Sequence, residues 1–382
     1  MHTSHRPLPA RVGVVAAAIA LAFAAGSAKG QVRVGVTNLV TDDQTAHTAQ
    51  ITDPGLVNAW GISYPPTGPF WVSANGNGTA ELFNVNPTTQ ATTALSLKVT
   101  LPDIPVTGQA FNSASASGAF NGDNFLFVSE NGTIAGWRGG LGTTAETLQT
   151  GIDANVYKGT AFATQSGNSY LYSANFRNGT IDILKGQSGE LPLTGNFTDP
   201  NLPAGYAPFN IQNLGGTMYV TYAVQDAMKH DEVAGAGLGI IDSYDLQGNL
   251  IARVASAGKL DAPWGLAIAP SSFGVLAGAL LVGNFGDGRI SAFNASTHTF
   301  LGQLAASDGT PLSIDGLWAL APGNDGSAGS SARLYFSAGP DGESHGLFGV
   351  LTPVPEPSSA LLLLAGLAGI AVLVRRRAAG RR

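Results

Sequence analysis

The repeating unit of this chain is clearest in Phe125-Leu-Phe-Val-Ser-Glu-Asn-Gly-Thr-Ile-Ala-Gly-Trp137. An apolar run rich in aromatic residues leads into Asn131-Gly132, and a second apolar run follows. Asn-Gly pairs readily adopt the positive φ angles of a type I′ turn. The stretch therefore predicts two antiparallel strands joined by a tight hairpin.

Related stretches recur about every 50 residues, which is the spacing of a repeat architecture. Each copy has a small apolar strand, a strand with aromatic residues, a turn and a third strand. Six copies can be written, with first strands at Trp60, Ala110, Thr160, Phe209, Trp264 and Trp318. Five of them carry the turn signal, at Asn77-Gly78, Asn131-Gly132, Asn178-Gly179, Asp287-Gly288 and Asp341-Gly342.

Most copies are followed by a fourth strand, as in the blades of a propeller. The sixth copy lacks one, whereas the segment from Val32 to Val40 stands unpaired before the first copy. If this segment supplies the missing outer strand, the ring closes and no sheet edge stays open. We therefore predict an all-β, six-bladed β-propeller with four-stranded blades, closed by the N-terminal strand, over residues 31–351.

The composition agrees with an exported β protein. The chain has 382 residues, of which 44% are hydrophobic and 12% charged, with 51 glycines and no cysteine. Disorder, collagen, helical bundles and cysteine catalysis are thereby excluded or disfavoured. Residues 31–351 carry 11 Lys and Arg against 24 Asp and Glu, and this negative charge argues against nucleic acid as a partner.

Both ends of the chain look like targeting signals. Residues 1–30 have a basic start, an apolar run and small residues before a cleavage point, which predicts a signal peptide removed by signal peptidase. Residues 358–374 form an apolar stretch just long enough to span a bilayer as a helix. Arginines follow it, so the positive-inside rule places the body of the protein on the outer side.

The end of the chain resembles the PEP-CTERM sorting signal of Gram-negative bacteria. The resemblance rests on residues 352–382, in which Pro355-Glu356-Pro357 precedes the apolar helix and an Arg-rich tail follows that includes Arg375, Arg376 and Arg377. It implies recognition by an exosortase, export across the inner membrane, anchoring through the C-terminal helix before processing, and a final location in the cell envelope or outside the cell.

The body is also similar to a family of secreted bacterial propellers known mainly as uncharacterised proteins, many with a PEP-CTERM tail. The similarity covers residues 37–351 and is carried by Trp60-Gly-Ile, Pro263-Trp-Gly-Leu-Ala267, Gly283-Asn-Phe-Gly-Asp-Gly288 and Asp315-Gly-Leu-Trp318. It supports the propeller and implies no established reaction.

In a propeller, the loops before the first strands and after the second strands lie on one face of the ring, so their polar residues are predicted to converge there. Aspartates before the first strands are candidate metal ligands: Asp53, Asp103, Asp153, Asp199, Asp261 and Asp315. Candidate ligand-binding residues in the other loops include Asp287, Asp341, Glu343 and His345, above an aromatic floor of Trp60, Trp264 and Trp318. Such a site suits calcium or a sugar, although aspartates that cap turns and aromatics that fill gaps would give the same pattern.

One loop, Gln225–Gly239, is longer than its counterparts and holds Asp226, His230 and Asp231. Long loops on rigid scaffolds often carry function, so these residues are candidates for a metal site or an acid/base pair. A solvated charged loop is the alternative interpretation.

Two functions fit these observations. The favoured one is a non-enzymatic binding module for an extracellular polysaccharide or a surface partner, because no known catalytic motif is found in the sequence. The alternative is a hydrolase, lactonase or lyase that depends on calcium or another metal. The sequence assigns no catalytic residue and requires no cofactor, with calcium the candidate ion.

Overall fold

The computed structural model of the chain describes residues 32–354, except residues 104 and 153. The signal segment 1–30 and the apolar segment 358–374 therefore lie outside the described residues. Within the described part, no helix is long and apolar enough to cross a bilayer.

The described strands form six sheets. Strands β1 (Arg33–Thr41) and β2 (Ile51–Thr52) come first along the chain. Blade 1 consists of β3 (Ala59–Ser63), β4 (Phe70–Ala74), β5 (Thr79–Val85) and β6 (Thr92–Thr100). Blade 2 consists of β7 (Val106–Phe111), β8 (Phe125–Ser129), β9 (Ile134–Trp137) and β10 (Glu146–Gln149). Blade 3 consists of β11 (Tyr157–Gln165), β12 (Asn168–Asn175) and β13 (Thr180–Lys185).

The second half continues the pattern. Blade 4 consists of β14 (Tyr206–Leu214), β15 (Thr217–Gln225), the short β16 (Glu232–Val233), β17 (Ile240–Tyr244) and β18 (Leu250–Ser256). Blade 5 consists of β19 (Pro263–Ile268), β20 (Leu280–Asn284), β21 (Ile290–Phe293) and β22 (Phe300–Gln303). After β23 (Ala305–Ala306), blade 6 consists of β24 (Leu317–Pro322), β25 (Leu334–Ala338) and β26 (Leu347–Pro353). Short helical turns span Asn75–Asn77, Ser115–Ser117, Ala119–Gly122, Gly139–Leu141, Gly274–Leu276 and Pro340–Glu343.

The predicted six-bladed propeller is confirmed. The innermost strand of each blade contacts that of the next, and β24 of blade 6 contacts β3 of blade 1. The predicted closure is also confirmed: β1 pairs antiparallel with β26, from Val34 opposite Pro353 to Thr41 opposite Leu347. Blade 3 differs from the prediction of four strands, because its sheet has three strands within the described residues.

The hairpin turns are of a different type from the one predicted. Gly78, Gly132, Gly179 and Gly288 have φ between 63° and 80°, as expected, but the Asn or Asp before each of them does not have positive φ. A type I′ turn needs positive φ at both central residues, so these four hairpins use longer turns that end on a left-handed glycine. At Asp341 and Gly342 both angles are positive, at 56° and 64°.

The hydrophobic core lies between neighbouring blades. Phe70 and Phe83 of blade 1 pack with Phe348 of blade 6, and all three side chains are fully buried. Similar clusters fill the other interfaces. Because each blade is anchored on both faces, the loops at the end of the channel are held in fixed positions.

Candidate functional site

β-bulges in the innermost strands direct large side chains into the channel. The pairing between first and second strands shifts register at Trp60, Lys158, Phe209, Trp264 and Trp318, on five different blades. A bulge turns a side chain away from its regular direction. Glycine follows three of these residues; at Gly265, for example, a Cβ atom would lie 2.5 Å from the carbonyl oxygen of Trp318. Glycine therefore allows the neighbouring blade to approach closely.

Aromatic side chains fill the channel. The rings of Trp60 and Trp318 stack with centroids 3.7 Å apart, and Phe285 stacks on Trp318 at 4.1 Å. Trp264 meets Trp318 edge-on at 5.8 Å. The three indoles are between 1% and 4% exposed, so they form a buried plug rather than an open binding surface. A ligand above them would contact the polar groups that cover the plug.

Lys158 is the cation at the centre of this polar layer. Its side chain is 1% exposed and forms ion pairs with Glu130 and, at 3.1 Å, with Oδ1 of Asp231. The ammonium lies 5.4 Å from the centre of the Trp60 ring, a cation–π distance. Burial acts to lower the pKa of Lys158, but the surrounding carboxylates outweigh it and raise the pKa above its ordinary value. The amine is therefore a fixed positive charge.

A chain of amides connects this ion pair to blades 1 and 6. The Asn75 amide donates to Oε2 of Glu130 over 3.4 Å, and the Asn58 amide donates to Asn75 over 3.1 Å and to Glu343 over 3.2 Å. Asn58 also accepts from the indole N–H of Trp318 at 3.3 Å. Burial raises the pKa of Glu343. The cluster of Glu130, Lys158, Asp231, Asn58, Asn75 and Glu343, hereafter the channel cluster, thus draws on five of the six blades.

The long loop of blade 4 delivers Asp231 to this cluster. Oδ1 of Asp226 accepts from the backbone N–H groups of His230 and Asp231 at 2.8 and 3.3 Å, so Asp226 shapes the loop. Nδ1 of His230 lies 2.8 Å from Oδ1 of Asp231. Glu232 begins β16, which pairs with β15 and pins the loop. Burial raises the pKa of Glu232 to about 7, against the attraction of Lys158.

Three residues at this point have the chemistry of a metal site. Ligand atoms of Glu130, His230 and Asp231 all lie within 4.8 Å of one another. Within residues 32–354, apart from 104 and 153, none of the predicted metal-binding aspartates belongs to such a group. Two of the three ligands, Glu130 and Asp231, already bind the Lys158 ammonium. An ion there would compete with the lysine for the same oxygens.

A second polar group lies where β1 closes the ring. Nε2 of His47 is 2.9 Å from Oδ2 of Asp341, and Nδ1 of His345 is 3.0 Å from Oδ2 of Asp42. Asp315 accepts from the backbone N–H of Asp341 at 2.8 Å. The hydrogen bond with Asp42 raises the pKa of His345. These contacts tie the blade 6 loop to the segment after β1.

The remaining predicted site residues bind groups outside the channel cluster. Asp153 lies outside the described residues. The other contacts are Asp53 to Lys98 at 2.6 Å, Asp103 to Thr133 at 2.6 Å, Asp199 to Arg253, Asp261 to the N–H of Gly235 at 2.7 Å, and Asp287 to the amide of Asn284 at 2.9 Å. The structure therefore distributes these carboxylates among the blades and brings Glu343, Asp231 and His230 towards the channel.

Sequence reasoning missed Lys158 and Asn58. Lys158-Gly159 occupies the place of Trp60-Gly61 and Trp264-Gly265 in the repeat. Alignment of the six copies would have shown a lysine where other blades have tryptophan, and that exception was the available signal. Asn58 has positive φ, at 49°, and nothing in its local sequence distinguishes it from a turn residue.

Comparison with known proteins places the chain in a family. Residues 353–377 match the PEP-CTERM protein-sorting motif, which confirms the predicted resemblance of the tail. A protein of Acanthamoeba polyphaga mimivirus is 30% identical over 320 residues, covering 80% of this chain and 76% of the viral protein. A second protein of that virus is 31% identical over 317 residues, covering 78% and 81%. The chain belongs to the family of these two proteins.

Both viral members of this family are described only as uncharacterized proteins. The solved structure of an auxiliary nutrient binding protein from Bacteroides ovatus is similar to the fold of this chain, with a TM-score of 0.53 and 12% identity over 85% of this chain and 78% of that chain. At this identity the likeness concerns the fold alone. The activity of this family member must be argued from its own residues.

Proposed function

We propose that the protein is an exported binding module that holds a hydroxyl-rich polysaccharide over the channel cluster. The observation that carries the proposal is the Lys158 ammonium, buried between Glu130 and Asp231. Its pKa is raised, so it stays protonated and is unsuited to act as a base or a nucleophile. The centre of the cluster is arranged to hold charge and to present hydrogen-bonding groups.

The exposed side of the site supports a carbohydrate ligand. The side chains of Asp231 and His230 are 62% and 36% exposed, so a ligand can reach them. Carboxylates, amides and imidazoles are the polar groups that orient hydroxyl-rich ligands. The cluster contains three carboxylates, those of Glu130, Asp231 and Glu343, against the single ammonium of Lys158. This excess of negative charge would repel polyanions. We therefore expect a neutral polysaccharide rather than an acidic one.

The test is binding of the purified protein to neutral and acidic polysaccharides of the bacterial envelope. Asp231→Asn should weaken binding of the neutral ligand by about tenfold, the loss expected when one charge-assisted hydrogen bond is removed. Asp308→Asn, a matched change at an exposed aspartate elsewhere, should leave binding unchanged. Failure of the wild-type protein to retain any polysaccharide would refute the proposal.

A metal-dependent hydrolase, lactonase or lyase is the second candidate, supported by the spacing of Glu130, His230 and Asp231. The imidazole suits zinc better than calcium, which prefers oxygen ligands. A bound ion would act as a Lewis acid. For this function, Lys158 would have to leave the carboxylates.

The two candidates differ in their thermal response to metals. For the binding module, the melting temperature of the wild-type protein should be equal with calcium, with zinc and with a chelator. In the variant Lys158→Met, the carboxylates of Glu130 and Asp231 lose their lysine partner and become available to a metal ion. The melting temperature of this variant should therefore rise when metal is added. A wild-type rise of about 4 °C at 100 times Kd would favour the enzyme, because ligands that bind the folded state stabilise it by mass action.

Export and sorting complete the proposal. The match of the sorting motif to residues 353–377 supports handling by an exosortase. We expect that a signal peptidase removes the N-terminal signal beforehand. The protein would then be anchored in the inner membrane before release to the envelope or the medium. Replacement of Pro355, Glu356 and Pro357 by alanine should leave the protein unprocessed, as seen by fractionation and by its mass.

A further inference from the structure

A cavity of about 520 Å³ lies where the propeller meets the sorting motif. Its wall includes Val32 and Arg33 at the start of β1, Phe273 and Val275 of a blade 5 loop, Arg333 of blade 6, and Val354. Val354 is the last described residue, and its backbone N–H donates to the carbonyl of Arg33 over 2.8 Å. The chain therefore leaves the propeller from the wall of this cavity.

The sorting motif begins inside the folded blade. Its match starts at residue 353, and Pro353 is the last residue of β26, paired with Val34 of β1. Pro355-Glu356-Pro357 follows Val354 without a linker. Two residues of extended chain span about 7 Å, so Glu356 begins within side-chain reach of the cavity wall.

The charges of the cavity and the motif are complementary. In the part of the chain that the structure describes, neither Arg33 nor Arg333 forms an ion pair. By contrast, Arg138, Arg253 and Arg289 each form an ion pair with a carboxylate. Glu356 is the one acidic residue of the sequence from 352 to 382. Asp308 lies near Arg33 and interacts with its charge, and Nη1 of Arg333 donates to the carbonyl oxygen of Pro87 over 3.1 Å. Because neither arginine is ion-paired with a carboxylate in the described residues, both can still attract the single acid that follows.

The shape of the cavity also suits a proline-rich segment. Proline disfavours the helical conformation of the residue before it, so a Pro-Glu-Pro sequence favours an extended backbone. Extended proline segments bind in apolar grooves at low entropic cost. Val275 is 72% exposed and Val354 is 37% exposed, and both line the cavity. An extended segment in the cavity would cover this apolar surface.

We propose that this cavity is an intramolecular docking site for the sorting motif, in which Pro355 and Pro357 pack on Val275 and the Glu356 carboxylate pairs with Arg33 and Arg333. The docking holds the motif in this cavity of the propeller before the tail is processed. It does not depend on the ligand of the channel cluster.

Disulfide trapping in the full-length chain tests the docking directly, because the natural protein has no cysteine. A disulfide forms only when two Cβ atoms come within about 3.5–4.5 Å. Val275→Cys combined with Ser358→Cys should cross-link within one molecule under mild oxidation. Met228→Cys with Ser358→Cys is the control, since Met228 is 74% exposed on the blade 4 loop.

Charge reversal tests the ion pair. Arg33→Glu should slow the Val275–Ser358 cross-link by about two- to fivefold, as expected for one surface ion pair, and Glu356→Arg in the same chain should restore the rate. Lys259→Glu, a reversal away from the cavity, should have no effect. Equal cross-linking of the Val275 and Met228 pairs, or cross-links only between molecules, would overturn the proposal; the second result would mean that another copy covers the cavity.

Discussion

The ammonium of Lys158 lies 3.1 Å from Oδ1 of Asp231 and connects the innermost strand of blade 3 to the long loop of blade 4. The two residues are 73 positions apart in the sequence. Their contact, together with the ion pair to Glu130, closes the channel above the tryptophan plug. The Lys158–Asp231 contact therefore has a structural role and also belongs to the proposed ligand site. Substitutions at these residues can test both roles.

Loss of the lysine charge should destabilise the fold strongly. Lys158→Met leaves Glu130 buried without its cation, and breaking a buried ion pair costs about 3–5 kcal/mol. Glu130→Gln in the same chain should recover more than half of that loss, because no buried charge remains. Urea unfolding measures both, and Lys229→Met at an exposed position should change stability by less than about 0.5 kcal/mol. Equal effects of the two lysine variants would contradict this account.

Truncation of the central indole should also be costly. Trp318 contacts Trp60, Trp264 and Phe285, so Trp318→Ala would leave a cavity in the channel and lower stability by about 3–5 kcal/mol. Trp318→Phe keeps an aromatic ring there and should lose less than half as much. Phe300→Ala, at a 40% exposed position, is the matched control. A small effect of Trp318→Ala would show that the plug collapses around the gap.

Glu232 should make stability fall as pH rises. Its pKa is about 7 in the folded protein against an ordinary value of 4.5, so the folded state binds this proton more tightly. The resulting stabilisation is complete below pH 4.5 and is lost as pH rises through about 7. Lys158, Asp231 and Glu343 act on this carboxyl.

Replacement of Glu232 isolates that effect. Glu232→Gln should remove a fall of about 1–2 kcal/mol between pH 5 and pH 8, an amount reduced from the full shift because the residue is partly exposed. Unfolding free energies of the wild-type protein and the variant at both pH values measure the difference. An unchanged pH dependence in the variant would assign the fall to other carboxyls.

Closure of the ring by β1 can be tested on one strand. Val34 is fully buried opposite Pro353, whereas Val36 of the same strand is 44% exposed. Val34→Asp should therefore cost about 3 kcal/mol or more and expose the edge of β26, with aggregation visible by size-exclusion chromatography. Val36→Asp should leave the protein monodisperse and change stability by less than about 1 kcal/mol.

Much of the fold follows from local sequence signals. Alternation of apolar strands with Asn-Gly or Asp-Gly turns predicted the hairpins, and their repetition predicted six blades. The strand missing after β26 predicted the closure by β1. The hairpins depend on local sequence and the blade number depends on the number of repeats, so both can be predicted without knowledge of distant contacts. The turn type was wrong at four hairpins because the same Asn-Gly pair also fits longer turns that end on a left-handed glycine.

The site was only partly predictable, because it depends on contacts between residues that are distant in the sequence. Asp231 and His230 stood out because they lie in an unusually long loop, and Glu343 was a candidate from the loops after the second strands. The aspartates before the first strands look equivalent in sequence and differ in their contacts. Asp53 binds Lys98 and Asp199 binds Arg253, each through a cation supplied by another strand. The pairing of strands decides these partners.

The sequence by itself determined the architecture, the closure and the sorting motif, since each depends on short-range patterns and on their order. Only the tertiary structure decided that Lys158, Glu130 and Asp231 meet over the tryptophan plug. The physical reason is the ring: residues from five blades share one channel mouth, and a lysine becomes a fixed, buried cation only when the closed ring surrounds it with carboxylates.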